Sequence, residues 1–165
     1  MTLKADLRPT RHDRVIDLVA AAGVDVSDWA NFAGGAAKAA TNPKYCYVWA
    51  FVDPKAGLVV LNLWHHNILQ ARGRVTLTTN LRKVNETIKA ERGNAMRARR
   101  AASFDNAVRI AHEGKMLVRA ILNEGDRDRD DDFAIKTDVV RFRALDPLAW
   151  SVESYDVRTG DTILV

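Results

Sequence analysis

Cysteine occurs once in this chain of 165 residues, at Cys46, and proline only four times. A single thiol excludes a disulfide within the chain and any zinc site built on several thiolates, which points to a reduced, cytoplasmic setting. Long apolar runs are missing as well. The longest, Leu58 to Leu63, is interrupted by Asn62, and the first fourteen residues carry Lys4, Arg8, Arg11 and Arg14 without an apolar stretch. Neither a membrane span nor a signal peptide is expected from that pattern. There is no internal repeat and no low-complexity block. Catalytic signatures are lacking too: no Gly-rich phosphate loop, no H-E-x-x-H, no G-x-S-x-G, and no Asp, Glu-x-Lys set of the metal-dependent nuclease kind. No cofactor is implied.

What is present begins with charge. The formal net charge is +4, with 47% apolar and 28% charged residues, ordinary for one globular domain of this length. Within residues 82–100, Arg82, Lys83, Lys89, Arg92, Arg97, Arg99 and Arg100 face only Glu86 and Glu91, an excess larger than that of the whole chain. The sign reverses in the stretch EGDRDRDDD, which starts at Glu124. Such asymmetry suits one face for a polyanion and another for water. The acidic stretch alternates Asp126, Asp128 and Asp130 as a calcium loop does, but Asp131 and Thr137 stand where Gly and Glu are required, so it reads as a solvated loop.

The second feature is aromatic. In NPKYCYVWAFV, Tyr45, Tyr47, Trp49 and Phe51 recur at every second position and share one face if the segment is a strand, with Cys46 on the other. Asp53-Pro54-Lys55-Ala56-Gly57 then supplies a hairpin turn into VVLNLWHH, ending in Trp64, His65 and His66. Together these strands predict an aromatic cleft, with Trp49 and Phe51 core and Tyr45 and Tyr47 near the mouth. Adjacent residues on a strand point to opposite faces, so His65 and His66 are poorly placed to share a metal ion, and no metal site is expected.

Elsewhere, helical spacing predicts a helix within Pro9 to Ala22 stopped by Gly23, and Ser27 and Asp28 cap a short turn carrying Trp29 and Phe32. A strand is expected at Arg74 to Thr78. The basic segment is helix-prone, broken at Gly93 and Asn94, with Ser103 and Asp105 capping a further helix to about His112. On a helical repeat Arg82, Lys89, Arg92 and Arg99 or Arg100 form one stripe. Strands are expected at Lys115 to Asn123 and Val139 to Ala144, with Asp146-Pro147 introducing a last hairpin around Asp156 to Gly160. Without a regular βαβ rhythm, the expected class is α+β: a strongly bent antiparallel or mixed sheet, a half-open barrel of PUA/SRA-like form, with flanking helices.

The stretches DWANFAGGAAKAATNPKYCYVWAFV, VVLNLWHHN, LVRAILNEGDR and LDPLAWSVESYDVRTGDTILV resemble the N-terminal region of certain bacterial HNH endonucleases of the modification-dependent, type IV-like restriction class. The resemblance implies recognition of modified DNA by this region and cleavage by a C-terminal HNH domain. No His-Asn-His array follows here, so this chain is not expected to cut DNA by that chemistry. Residues 1–165 are expected to be a single DNA-recognition domain, the N-terminal part of a longer protein, since the chain stops within an apolar strand.

The expected partner is double-stranded, modified DNA, with no membrane association. Phosphate contacts are assigned to Arg82, Lys83, Lys89, Arg92, Arg97, Arg99 and Arg100, and a modified-nucleotide pocket to Trp29, Asn31, Tyr45, Tyr47, Trp64, His65 and His66, with Asn62 as a further hydrogen-bonding group. Two alternatives stand beside this: a nucleotide- or nucleic-acid-processing enzyme using His65 or His66 as acid/base, and an RNA-binding PUA-like module.

Overall fold

The computed structural model describes residues 3–126 and 139–165, which contain three α-helices, eight strands and four short 3₁₀ turns. The class is mixed α+β, and the strands form two four-stranded sheets; no closed barrel occurs among the described residues.

Strand β1 (Ala50–Asp53) pairs antiparallel with β2 (Leu58–Trp64) across the Asp53–Gly57 turn. Strand β2 pairs parallel with β5 (Leu117–Asp126), which pairs antiparallel with β6 (Val139–Trp150), giving the order β1-β2-β5-β6. A parallel neighbour requires a crossover, supplied by β3 (Leu69–Ala71), β4 (Arg74–Thr79), α2 (Leu81–Ala90) and α3 (Ala95–Gly114). The second sheet runs β3-β4-β8-β7, with β7 (Val152–Tyr155) and β8 (Thr162–Leu164) forming the last hairpin.

The apolar run of β2 is covered on both faces, as the inner strand of a layered sheet requires. Val59, Leu61 and Leu63 pack with Val118, Ala120 and Leu122 against Phe104, Ala107, Val108 and Ala111 of α3. Leu58, Val60 and Ile121 face the other way, onto Val15, Leu18, Val19 and Ala22 of α1 (Val15–Ala22), and onto Trp29 and Phe51. Leu77, Tyr155 and Leu164 tie the second sheet to the α3 side. Helix α1 stops at Gly23, in the left-handed region at φ 106°.

Four expectations need correction. The aromatic segment is not a strand before Ala50: the Tyr45 and Cys46 amides both donate to the Asn42 carbonyl, and Val48 N–H donates to Tyr45, so turn geometry continues through the segment. Asn42 holds it, buried, its side chain donating to the Trp29 carbonyl at 3.0 Å and accepting from Lys44 N–H at 3.0 Å. Helix α3 does not break at Ser103, because Asp105 finds partners in Tyr155 and Arg82 instead of capping. The break at Gly93-Asn94 does occur, with Asn94 Oδ1 accepting from the Met96 and Arg97 amides. Asp146-Pro147 lies inside β6, not at a hairpin: the buried Asp146 carboxylate accepts from Leu148 N–H and Trp150 Nε1, each at 2.8 Å, and β6 bulges around it. His65 and His66 sit in a 3₁₀ turn (His65–Asn67), not at opposite faces of a strand.

Strand β5 itself extends to Asp126, and a Cβ at Gly125 would collide with the Val139 carbonyl, so only glycine fits that crossing. The rest of the expected acidic loop, and the calcium-loop comparison at Asp128, Asp130, Asp131 and Thr137, lie outside the described residues.

Candidate nucleic-acid interface

The turn before β1, the end of β2, β4 and the first turns of α2 and α3 surround a cleft of about 1170 Å³. Tyr47, Trp49, Trp64 and His66 supply rings, Lys83, Arg97, Arg100 and Arg143 supply positive charge, and Asn62, Asn80 and Asn123 supply amides. Asn80 caps α2 by accepting from Lys83 N–H at 2.9 Å, which turns the start of that helix towards the cleft.

The rings and cations are interleaved. The Arg97 guanidinium lies 5.5 Å from the Trp49 ring centre, and Arg100 lies 5.3 Å from that of Tyr47, both within cation–π range. Tyr47 is 61% exposed, so its ring is open to solvent at the cleft. Trp64 lies against His66, with centres 5.8 Å apart. Burial, and then the neighbouring Arg97, push the Arg100 guanidinium below its ordinary pKa, and burial alone does the same to Arg143. Among the described residues neither arginine has a carboxylate partner. Cys46 also lines the cleft, its thiol raised by burial more than the nearby Arg100 lowers it.

The structure divides the residues expected to contact phosphate. Lys83, Arg97 and Arg100 reach the cleft, whereas Lys89, Arg92 and Arg99 are exposed elsewhere on the α2–α3 hairpin. The single stripe does not form, because α2 and α3 are separate helices and Arg92, at φ 52°, belongs to the turn between them. Arg82 is structural: it donates to the Val157 carbonyl at 2.8 Å and the Tyr155 hydroxyl at 2.6 Å and pairs with Asp105 at 3.4 Å. Burial pulls its pKa down, but Asp105 and Tyr155 together raise it above the ordinary value.

The expected nucleotide pocket is divided in the same way. Tyr47, Trp64 and His66 line the cleft. Trp29 is core, 2% exposed, stacked between Tyr45 and Phe51 at 5.1 and 5.9 Å, so neither Trp29 nor Tyr45 belongs to the pocket. Tyr45 also donates its hydroxyl to Asp28, and Asn31 is exposed beside it, bonded to the same carboxylate. His65 is engaged outside the cleft, its Nε2 donating to the Lys4 carbonyl at 2.9 Å. Trp49, assigned to the core, serves both sides: it packs on buried side chains and lines the cleft.

Three of the polar lining residues named above escaped the sequence reading, Asn80, Asn123 and Arg143. The signal for Asn123 was a lone amide inside the apolar strand LVRAILN; for Arg143 nothing distinguished it from Arg141 two residues earlier. Among the described residues no cluster of three or more His, Cys, Asp or Glu side chains is arranged to hold a metal ion, and no helix is long and apolar enough to cross a membrane. No family model matches this chain, and neither does any curated protein or solved structure.

Proposed function

We propose that this domain binds DNA and admits one modified nucleotide to the cleft, as the targeting module of a cytoplasmic restriction endonuclease whose cutting domain lies elsewhere. The observation that carries the reading is the half-buried Arg100 and Arg143, cations without a carboxylate in a cleft that also presents the uncovered ring of Tyr47. A guanidinium taken partly out of water without an internal counter-ion is stabilised only when an anion arrives. Phosphates bring the charge, and an unstacked base brings a flat face for Tyr47, Trp49 or Trp64 and an edge for the amides. In this reading the two sheets and α3 frame the cleft in the manner of a half-open, PUA/SRA-like barrel. Binding without turnover is the activity proposed.

The test is a titration of duplexes that differ only in one cytosine or backbone modification, at two salt concentrations, against the wild type and an Arg97→Ala/Arg100→Ala variant. The variant is expected to weaken binding to all duplexes and to flatten the dependence of log K on log salt by about one to two. An unchanged salt slope would remove the phosphate assignment. Single-stranded RNA serves as competitor: if it displaces modified duplex at equal concentration, the partner is RNA instead.

A further inference from the structure

At the floor of the cleft four groups form a directed chain of hydrogen bonds. Asn62 Nδ2 donates to the Val48 carbonyl at 3.3 Å, Asn123 Nδ2 donates to Asn62 Oδ1 at 3.3 Å, and Arg143 Nε donates to Asn123 Oδ1 at 3.0 Å. The strands fix the order: β2 and β5 are parallel neighbours, and Asn123 stands directly opposite Arg143 in the β5–β6 ladder. Each amide is thereby oriented by the next, and the last one takes only the inner nitrogen of the guanidinium. The backbone of Arg143 is held from the other side, its N–H donating to Arg11 at 2.6 Å and its carbonyl accepting from Asp13 at 3.1 Å.

The outer fork of that guanidinium, Nη1 and Nη2, has no protein partner among the described residues, yet neither nitrogen is sealed from solvent. Arg141, two residues earlier on the strand, shows the contrast: its Nε and Nη2 both donate to Asp126 Oδ2, at 3.1 and 2.5 Å, so its charge already has a carboxylate. From this geometry we infer that Arg143, aimed by Asn123 and Asn62, is a phosphate-binding residue that grips two oxygens of one phosphoryl group with its Nη1–Nη2 fork. Two parallel N–H···O bonds match guanidinium to phosphate better than a point charge does. A neutral base edge offers two acceptors as well, but only a full negative charge offsets the desolvation of a half-buried cation that no carboxylate serves. The phosphoryl group could come from the backbone of a bound strand or from a free phosphate. This inference rests on the nucleotide reading for its biological ligand but not for its chemistry.

The experiment therefore has two arms on the full chain. In the first, inorganic phosphate is titrated while the arginine side-chain ¹⁵N resonances are followed; those of Arg143 are expected to move saturably, and those of Arg141 not. In the second, the modified and unmodified duplex oligonucleotides are bound by wild type, Arg143→Lys, Asn123→Asp and Arg141→Lys. Arg143→Lys keeps the charge and loses the fork, and roughly a tenfold or greater loss of affinity is expected in both arms. Asn123→Asp places a carboxylate on the inner nitrogen and is expected to lower phosphate affinity likewise, whereas Arg141→Lys is expected to match wild type. Phosphate that leaves the Arg143 resonances still, or an Arg143→Lys variant that binds phosphate and oligonucleotide as wild type does, overturns the inference even if Arg97→Ala/Arg100→Ala still weakens DNA binding. Saturable phosphate binding at Arg143 with no oligonucleotide affinity in any variant sustains the phosphate site and removes the nucleic-acid reading.

Discussion

Tyr47 and Trp29 are both aromatic and stand eighteen positions apart, yet one is open to solvent beneath Arg100 and the other is sealed between Tyr45 and Phe51. Substituting them separates binding from stability. Tyr47→Ala removes a ring that packs on little else, so its melting curve is expected to overlay that of wild type while oligonucleotide affinity falls by about 1–3 kcal/mol, the scale of one base stacked on a ring. Trp29→Ala is expected to cost about 3–5 kcal/mol in urea denaturation, because it empties a packed site. At this scale the sequence was only partly legible. That the rings of residues 45–51 mattered could be read from their density, but where each one points depends on Asn42, whose buried side chain winds the segment into turns. The alternation of rings was real in sequence and lost in space.

Among the elements, the α2–α3 hairpin does more than display charge. Arg82 on α2, Asp105 on α3 and Tyr155 on β7 form a small polar clasp between the helices and the second sheet, with the Tyr155 hydroxyl accepting from Arg82 and donating to Asp105 at 2.9 Å. Burial, then the Asp105 carboxylate, raise the Tyr155 hydroxyl above its ordinary pKa, so it remains a donor throughout the neutral range. Asp105→Ala leaves Tyr155 and Arg82 each short of an acceptor and is expected to destabilise the fold by about 1–3 kcal/mol in urea denaturation. Oligonucleotide affinity measured well below the midpoint should not change, since the clasp lies outside the cleft. The helices were legible in part from their capping residues: Gly23 stops α1 and Gly93-Asn94 breaks the basic segment where the pattern places the break, whereas the α2 cap Asn80 was not read. Asp105 misled because a carboxylate that serves a distant tyrosine has the same local signature as one that caps a helix. The β-strands were found with their order hidden, since nothing local announces that β2 lies beside β5.

For the whole molecule, the N-terminal segment acts as a strap across the strand ends. Arg8 donates to both carboxylate oxygens of Glu124 on β5, Lys4 receives the His65 hydrogen bond, and residues 11–13 pair with β6 at Arg143. The Arg8 hydrogen bonds, helped by the charges of Arg8, His65 and His66, hold the Glu124 carboxyl below the usual carboxylate range against the opposing effect of burial. A carboxyl lowered by folding contributes its stability above its unfolded pKa, and that contribution disappears as the pH falls through the folded value. The strap is thus expected to hold at pH 6 and loosen in acid below about pH 4, read as faster hydrogen exchange, relative to the intrinsic rate at each pH, at the amides of residues 4–13. Glu124→Gln should show the faster exchange at both pH values. This long-range tie was invisible in the sequence, where Arg8 and Glu124 are only two charges far apart.

Strand β2 pairs with β5 rather than with its successors, and that has a consequence in time. During synthesis β1 and β2 can close their hairpin as soon as they emerge, but the other edge of β2 stays unpaired until residues 117–123 have been made, after the whole crossover. Pairings so distant in sequence form slowly and late. Asn62 therefore leaves the ribosome long before Asn123 and Arg143, and the floor of the cleft comes into being only when the sheet itself is complete. A nascent or truncated chain that has not reached β6 carries most of the aromatic residues but lacks Arg143 and its partners at the floor of the cleft, so on the proposed reading a finished sheet is the condition for ligand recognition.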